Sequence, residues 1–362
     1  MPAPPRLRVE AVAGPAFELL VGLYAATSPN APEADEGWVP ARSRWSPELR
    51  AAVDATGERS GEAWLHLLGL ALELPHDDAR SFVRRVARVP QAELRRHLVG
   101  AYVPAWVHLV GADALERAAA GEPDAIAEIL AHPRYYAGEA REALAPLITL
   151  SARETKERVV AALELFADEV LAPRERELTE ALAAGAHAVS ELATTLPPAE
   201  VVARVTQGYV YEPEPEFERV LLVPHVAARP ALLLCQHRES RVICYPLPHE
   251  HVDPEQALAE RAVALGRALG DARRVQILRY LAAQDASLDE LAANVALARS
   301  TAHHHLAQLR AAGLVTLRGN ARGYWYVLRP AGLAEAQRAV SELARAPSAL
   351  PARARARRGP KS

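Results

Sequence analysis

Residues 271–281 read Asp-Ala-Arg-Arg-Val-Gln-Ile-Leu-Arg-Tyr-Leu, residues 287–292 read Ser-Leu-Asp-Glu-Leu-Ala, and residues 298–315 read Ala-Arg-Ser-Thr-Ala-His-His-His-Leu-Ala-Gln-Leu-Arg-Ala-Ala-Gly-Leu-Val. Arg-Gly-Asn-Ala-Arg-Gly-Tyr-Trp-Tyr-Val follows over residues 318–327. Asp271 is an N-cap residue whose side-chain oxygen can take a free amide of the first turn, and Val275, Ile277, Leu278 and Leu281 follow at helical spacing. Ser287 and Glu290 have the spacing of a capping box, ahead of Leu288, Leu291, Ala292 and Val295. After a tight turn at Ala296 and Leu297, a third helix buries Ala302, Leu306 and Leu309 and turns Arg299, Ser300, His303 and His304 outward. Gly313 ends it, as a residue free to take positive φ. Residues 315–317 and 324–328 then alternate as strands, with Gly319, Asn320 and Gly323 as turn residues between them. Three short helices and a Gly-punctuated hairpin, in that order, predict a winged helix-turn-helix. Such a unit sets one helix in the DNA major groove and a β-ribbon beside it.

This stretch resembles the DNA-binding domain of the ArsR-type (arsenical-resistance repressor) winged-helix regulators. The likeness rests on Ala268-Leu269-Gly270-Asp271-Ala272-Arg273-Arg274, His304-His305-Leu306 and Ala312-Gly313-Leu314-Val315, and covers about residues 257–345. Three departures stand out. Ala272 replaces the usual Pro at the first helical position. Ala298 stands where a Ser normally caps the third helix, so that end should fray more easily. The Cys-x-Cys of the metal-sensing members is absent from the second motif helix, where this chain has Ser287-Leu288-Asp289-Glu290-Leu291, so a metal-resistance role does not carry over.

The resemblance implies base-edge contacts at Arg299, Ser300, His303 and His304, and the outward face of the third helix points to the same residues. Arg299 can fork onto guanine O6 and N7, while Ser300 and Thr301 suit phosphate contact and helix capping. Consecutive histidines fan out around a helix and cannot converge on one metal ion; His305 falls on the buried stripe and reads as structural. On the wing, Arg318, Arg322 and Tyr324 are the expected contacts, with Trp325 alternating onto the opposite, core-facing side. Charge is divided in the same sense. From residue 257 onward there are 17 Arg or Lys against 7 Asp or Glu, whereas the first 256 residues hold 25 against 38. A basic end attracts the phosphate backbone and an acidic partner is kept off it. Residues 347–362, with Arg353, Arg355, Arg357, Arg358 and Lys361, read as a disordered basic tail.

The fold class expected is mainly α with small β elements. Residues 1–250 form a mostly helical sensor or dimerisation domain with strands near 217–245, and residues 255–346 the winged helix-turn-helix. The period-3.6 pattern places helices near 17–26, 47–56, 63–74, 79–87, 91–101, 112–119, 123–131, 139–148, 154–171, 173–193 and 197–207, after an opening strand at 7–12. The period changes to two at 217–223, 230–237 and 241–245, and residues 246–254, with three prolines, form the linker. No apolar run approaches the roughly 20 residues needed to span a bilayer, and the start Met-Pro-Ala-Pro-Pro-Arg lacks a signal-peptide core. A cytoplasmic, nucleoid-associated location is expected.

Cys235 and Cys244 are the only cysteines. With Glu239-Ser240 as a two-residue turn they lie directly opposite each other, a geometry for a strained, reducible disulfide. His225, His237, His249 and His251 nearby leave a metal site open, and the plain alternative is a pair of thiols filling a core. The chain carries no Gly-rich phosphate loop, no H-E-x-x-H, no nucleophile elbow and no C-x-x-C, so no cofactor and no enzymatic activity are expected. The leading expectation is a transcriptional regulator, in the sense of a repressor. It would bind a pseudo-palindromic site on double-stranded DNA as a homodimer, under control of an unidentified effector or partner. Dimer contacts would come from residues 254–269 and 331–345, with Leu258, Val263, Leu265, Leu269, Leu333, Val340 and Leu343. The alternatives are an architectural nucleic-acid-binding protein and an enzyme carrying a DNA-binding domain.

Overall fold

The structure is a computed structural model and describes residues 7–28, 39–57, 59–229, 231–247, 254–320 and 323–343. The expected tail at 347–362, most of the expected linker, and His249 and His251 lie outside the described residues.

Helix Pro15–Thr27 sits at the centre of the amino-terminal part because it is apolar on almost every side; Phe17, Leu19, Leu20, Val21 and Leu23 are all buried. It packs against helices Gly61–His66, Leu68–Glu73, Ala79–Val86 and Ala152–Phe166. Its one carboxylate, Glu18, is buried too, and accepts from the amides of Val226 at 3.1 Å and Ala227 at 2.8 Å. The helix expected at 63–74 is two, Gly61–His66 and Leu68–Glu73. Helix Pro104–Val110, too short to show a clear period, was not anticipated. Helix Ala152–Phe166 opens with a capping box between Ser151 and Glu154 and runs into a π-helical turn, Ala167–Leu171, before helix Glu175–Thr195.

Arg95, on helix Gln91–Leu98, is fully buried with no carboxylate partner among the described residues. Its guanidinium caps the carboxyl ends of two neighbouring helices instead. Nε and Nη2 donate to Ala119 O (2.9 Å) and Ala118 O (3.2 Å), and Nη2 and Nη1 to Ile148 O (2.7 Å) and Leu150 O (2.7 Å). The last carbonyls of a helix lack the usual partners within it; here Ala118 O also accepts from Gly121 N at 3.0 Å.

The strands are β1 (Arg8–Ala11), β2 (Val210–Tyr211), β3 (Arg219–His225), β4 (Leu233–His237), β5 (Ser240–Pro246), β6 (Val315–Asn320) and β7 (Gly323–Leu328). One sheet has the order β1-β3-β5-β4, parallel except for the β4–β5 hairpin; the other has the order β2-β6-β7. Alternate residues of β3 and β5 face opposite sides. Leu221, Val223, Val242 and Cys244 join the core of the amino-terminal helices, while Val220, Leu222, Ile243 and Tyr245 join a second core. That second core also holds Leu182, Val201 and Tyr209, together with Ile277, Leu291, Leu306, Leu317 and Tyr326 of the motif. In packing, the division of the molecule therefore falls across the sheet, not at the chain boundary expected near 250.

The β4–β5 hairpin corrects the cysteine geometry. Its turn is Arg238-Glu239, one residue earlier than read, with Arg238 at φ 50 and His237 paired with Ser240. Cys235 therefore opposes Val242 and Cys244 opposes Leu233, so the two cysteines are diagonal neighbours. Both are free thiols. The contact with Cys235 and burial push the Cys244 thiol well above its usual range. Among the described residues no group of three or more His, Cys, Asp or Glu is placed to hold a metal ion.

Candidate nucleic-acid interface

The first motif helix, Ala272–Leu281, is capped by Asp271, whose carboxylate accepts from the amides of Arg273 (2.8 Å) and Arg274 (3.1 Å). These backbone bonds hold its pKa below the usual carboxylate range. The second, Leu288–Asn294, opens with the expected capping box: Ser287 N donates to Glu290 at 2.7 Å and Glu290 N to Ser287 Oγ at 3.3 Å. Ala296 makes the following turn at φ 52, the left-handed region. A substitution Ala296→Gly should raise stability by about 0.5–1 kcal/mol by relieving that conformation, and an unchanged denaturation midpoint would count against strain there.

The third helix, Arg299–Ala311, buries Ala302, His305, Leu306 and Leu309. As expected, Ala298 gives it no side-chain cap. Arg299, Ser300, Thr301 and His304 are exposed and His303 is half-buried. Burial, then Arg310, Arg299 and His304, hold the His303 imidazole below its usual pKa, so at neutral pH it presents one donor and one acceptor. His305 lies inside, against Arg274 Nη1 at 3.3 Å, and is structural as read. Gly313, at φ 68, closes the helix.

The wing is the antiparallel pair β6–β7, continued on its outer side by a bridge between Ala286 and Tyr326. Arg318 is exposed; Arg322 at the tip lies outside the described residues. Both described arginines of the candidate face are ion-paired across the surface, Arg299 with Asp289 and Arg318 with Asp285 at 2.7 Å. Exposed pairs of this kind contribute about 0–1 kcal/mol, so a phosphate or a guanine edge can displace either carboxylate at little cost.

Two wing residues are placed opposite to expectation. The Tyr324 hydroxyl accepts from Arg241 of β5 and so faces the amino-terminal part, away from the candidate DNA face. Trp325 is 42% exposed, its ring lying over Gly319 and Gly323, where a Cβ would approach it to 3.3 and 3.1 Å. The alternation was right and its phase was not. The signal lay in Leu317, which is buried: a two-residue tip pairs Leu317 with Tyr326 and Gly319 with Tyr324, turning both tyrosines inward.

Sequence reading also missed β2, the two-residue strand that pairs parallel to β6 as Val210↔Arg318 and Tyr211↔Gly319. It is too short to show a period, and its partner is over 100 residues away in the chain. Around it, Arg241 and Glu214 are buried as an ion pair (3.7 Å), and Tyr209 donates to Gly319 O at 2.9 Å.

With this geometry in place, the chain can be compared with known proteins. Residues 271–316 match the family model described as bacterial regulatory protein, arsR family. A 68-residue stretch, 19% of this chain, is 40% identical to the transcriptional activator HlyU of Vibrio cholerae serotype O1. The match spans 63% of that relative's length, and most of the present chain lies outside it. No solved structure matches the chain. Among the described residues, no helix is long and apolar enough to cross a membrane.

Proposed function

We propose, from the arsR-family match over residues 271–316 and the exposed face of the third helix, that this chain is a sequence-specific regulator of transcription. It binds double-stranded DNA as a homodimer and carries out no catalytic step of its own. The observation that carries this reading is the outward set Arg299, Ser300, Thr301 and His304 on a helix whose other face is the core of the motif. That geometry presents a short row of donors to base edges and phosphates.

A selection of genomic fragments with the full chain, read by sequencing, should enrich a shared inverted repeat; no enrichment overturns the reading and favours an architectural role. In the same assay Arg299→Ala and His304→Ala should relax preference at particular base pairs and cost on the order of 1–3 kcal/mol per lost base contact. Equal weakening on every sequence would remove these residues from base reading. The sign follows from a reporter driven by the selected fragment. Repression, our reading, lowers its output on expression of the protein; activation, the role in the relative's name, raises it.

The flanking helices Pro254–Leu269 and Pro330–Leu343 pack against each other and leave Val263, Leu269 and Leu333 exposed at 53%, 45% and 40%. Apolar groups so placed support pairing with a second copy, which would present two third helices to the two halves of a palindrome. Leu333→Glu should shift the sedimenting species from dimer to monomer and weaken binding to the full repeat much more than to a half-site. An unchanged dimer would place the interface elsewhere.

A further inference from the structure

The wing is not a free hairpin. Its β6 edge is covered by β2, so that Arg318 and Gly319 are backbone partners of Val210 and Tyr211. Glu212 N (3.3 Å) and Tyr209 Oη (2.9 Å) both donate to the carbonyl of Gly319. From the other side Arg241 donates to the Tyr324 hydroxyl, its guanidinium carbon 5.9 Å from the ring centroids of both Phe217 and Tyr324. Arg241 is 1% exposed and its counter-ion Glu214 2%.

A buried ion pair is weak support for stability by itself, because desolvation offsets most of the attraction; its better-attested use is to fix one arrangement among several. Here the arrangement fixed is that of the wing against the four-stranded sheet. Arg241 lies in β5, an interior strand of that sheet, paired on one side with β3 and on the other with β4. The opposite face of the same strands belongs to the amino-terminal core through Val242 and Cys244. One rigid strand therefore carries both the amino-terminal core and the group that grips the wing.

We propose that Arg241, with Glu214, Tyr324 and the β2–β6 pairing, is a positioning device that holds the wing and its Arg318 in DNA-binding register, so that the amino-terminal unit sets DNA affinity through the wing. The inference rests on the DNA-binding function proposed above and names the route by which that function is controlled. Any ligand or partner that shifts β5 or the segment 209–214 acts first on the wing. The third helix shares the second core and packs against β6, while its Arg299, Ser300, Thr301 and His304 lie exposed on the side away from that core.

The test uses the full chain and two variants. Tyr324→Phe removes only the hydroxyl and keeps the ring in the core. The pair Arg241→Met with Glu214→Gln removes both buried charges together, so that no lone charge is left inside. Hydrogen exchange is read without DNA. Amides of β6 and β7 should exchange at least tenfold faster in either variant, while those of helix Pro15–Thr27 keep wild-type protection. Unchanged wing exchange in Tyr324→Phe overturns the clamp, whether or not the protein binds DNA.

DNA binding is then read on the selected repeat. The variants should bind several-fold more weakly, with a salt slope reduced by about one as the Arg318 phosphate contact is lost, and with base preference unchanged. A loosened wing with wild-type affinity and slope overturns the link to DNA binding. Wild-type protein that selects no DNA sequence overturns the proposed function, while the exchange arm still decides the clamp.

Discussion

Replacing Arg95 with Met is expected to lower the stability of the protein by about 4 kcal/mol or more. Met fills much of the volume but donates nothing, so the carbonyls of Ala119, Ile148 and Leu150 lose the donors they have now, while Ala118 O keeps Gly121 N. Each buried carbonyl left without a partner costs on the order of 1–3 kcal/mol, and losses of this size are typical of broken buried networks. Arg95→Lys should recover only part of this, because one ammonium cannot reach two helix ends in a fixed fork. Because no carboxylate among the described residues pairs with Arg95, the loss should be nearly independent of salt. A denaturation midpoint for Arg95→Met within experimental error of wild type would mean that water replaces the guanidinium and that the helix ends need no tie.

Mild acid is expected to destabilise the protein, and the direction follows from three imidazoles, His97 and His225 buried and His66 half-buried. Burial holds His66 and His97 at about 4 and His225 at about 3, below an ordinary value of 6.5. His97 has His237 stacked on it at 5.7 Å as a further cause. A histidine whose folded pKa is depressed contributes stability that is fully present above its unfolded value and is lost as pH falls towards the folded one. Between pH 7 and 5.5 the three together should cost roughly 4 kcal/mol.

Glu18 acts in the opposite sense. Burial raises its pKa to about 7 despite the Val226 and Ala227 amides, so folding favours its protonated form and its contribution is greatest at low pH. Over the same interval it should return about 1.5 kcal/mol. Urea midpoints at pH 7 and 5.5 check both halves. A flat profile would show that the imidazoles reach water in the folded state, and Glu18→Gln should make the acid loss steeper. Parallel profiles for the variant and wild type would remove Glu18 from the account.

Within the winged helix, nearly every local element was legible. The caps at Asp271 and Ser287, the missing cap at Ala298, the positive-φ Gly313 and the inward stripe of the third helix all depend on residues within about five positions of one another. Short-range hydrogen bonding and side-chain periodicity settle such features. Errors began where a phase or a loop length had to be fixed from outside. Tyr324 and Trp325 exchange roles because one residue of phase moves a side chain to the other face of a strand, and Cys235 loses its expected partner because the turn begins at Arg238 instead of Glu239.

By itself the sequence determined the class of fold, the order of the motif's elements, the charge division and the exposed residues of the third helix, since each is a local property of the chain. Only the tertiary structure decided that residues 182–247 share a core with the motif, that β2 covers the wing's edge, and that Arg241 and Glu214 meet Tyr324. These contacts join segments up to about 110 residues apart, and nothing in their local pattern names the partner. A buried Arg reads in sequence like a surface one; its burial follows only from the carboxylate, the rings and the carbonyls that the fold brings around it.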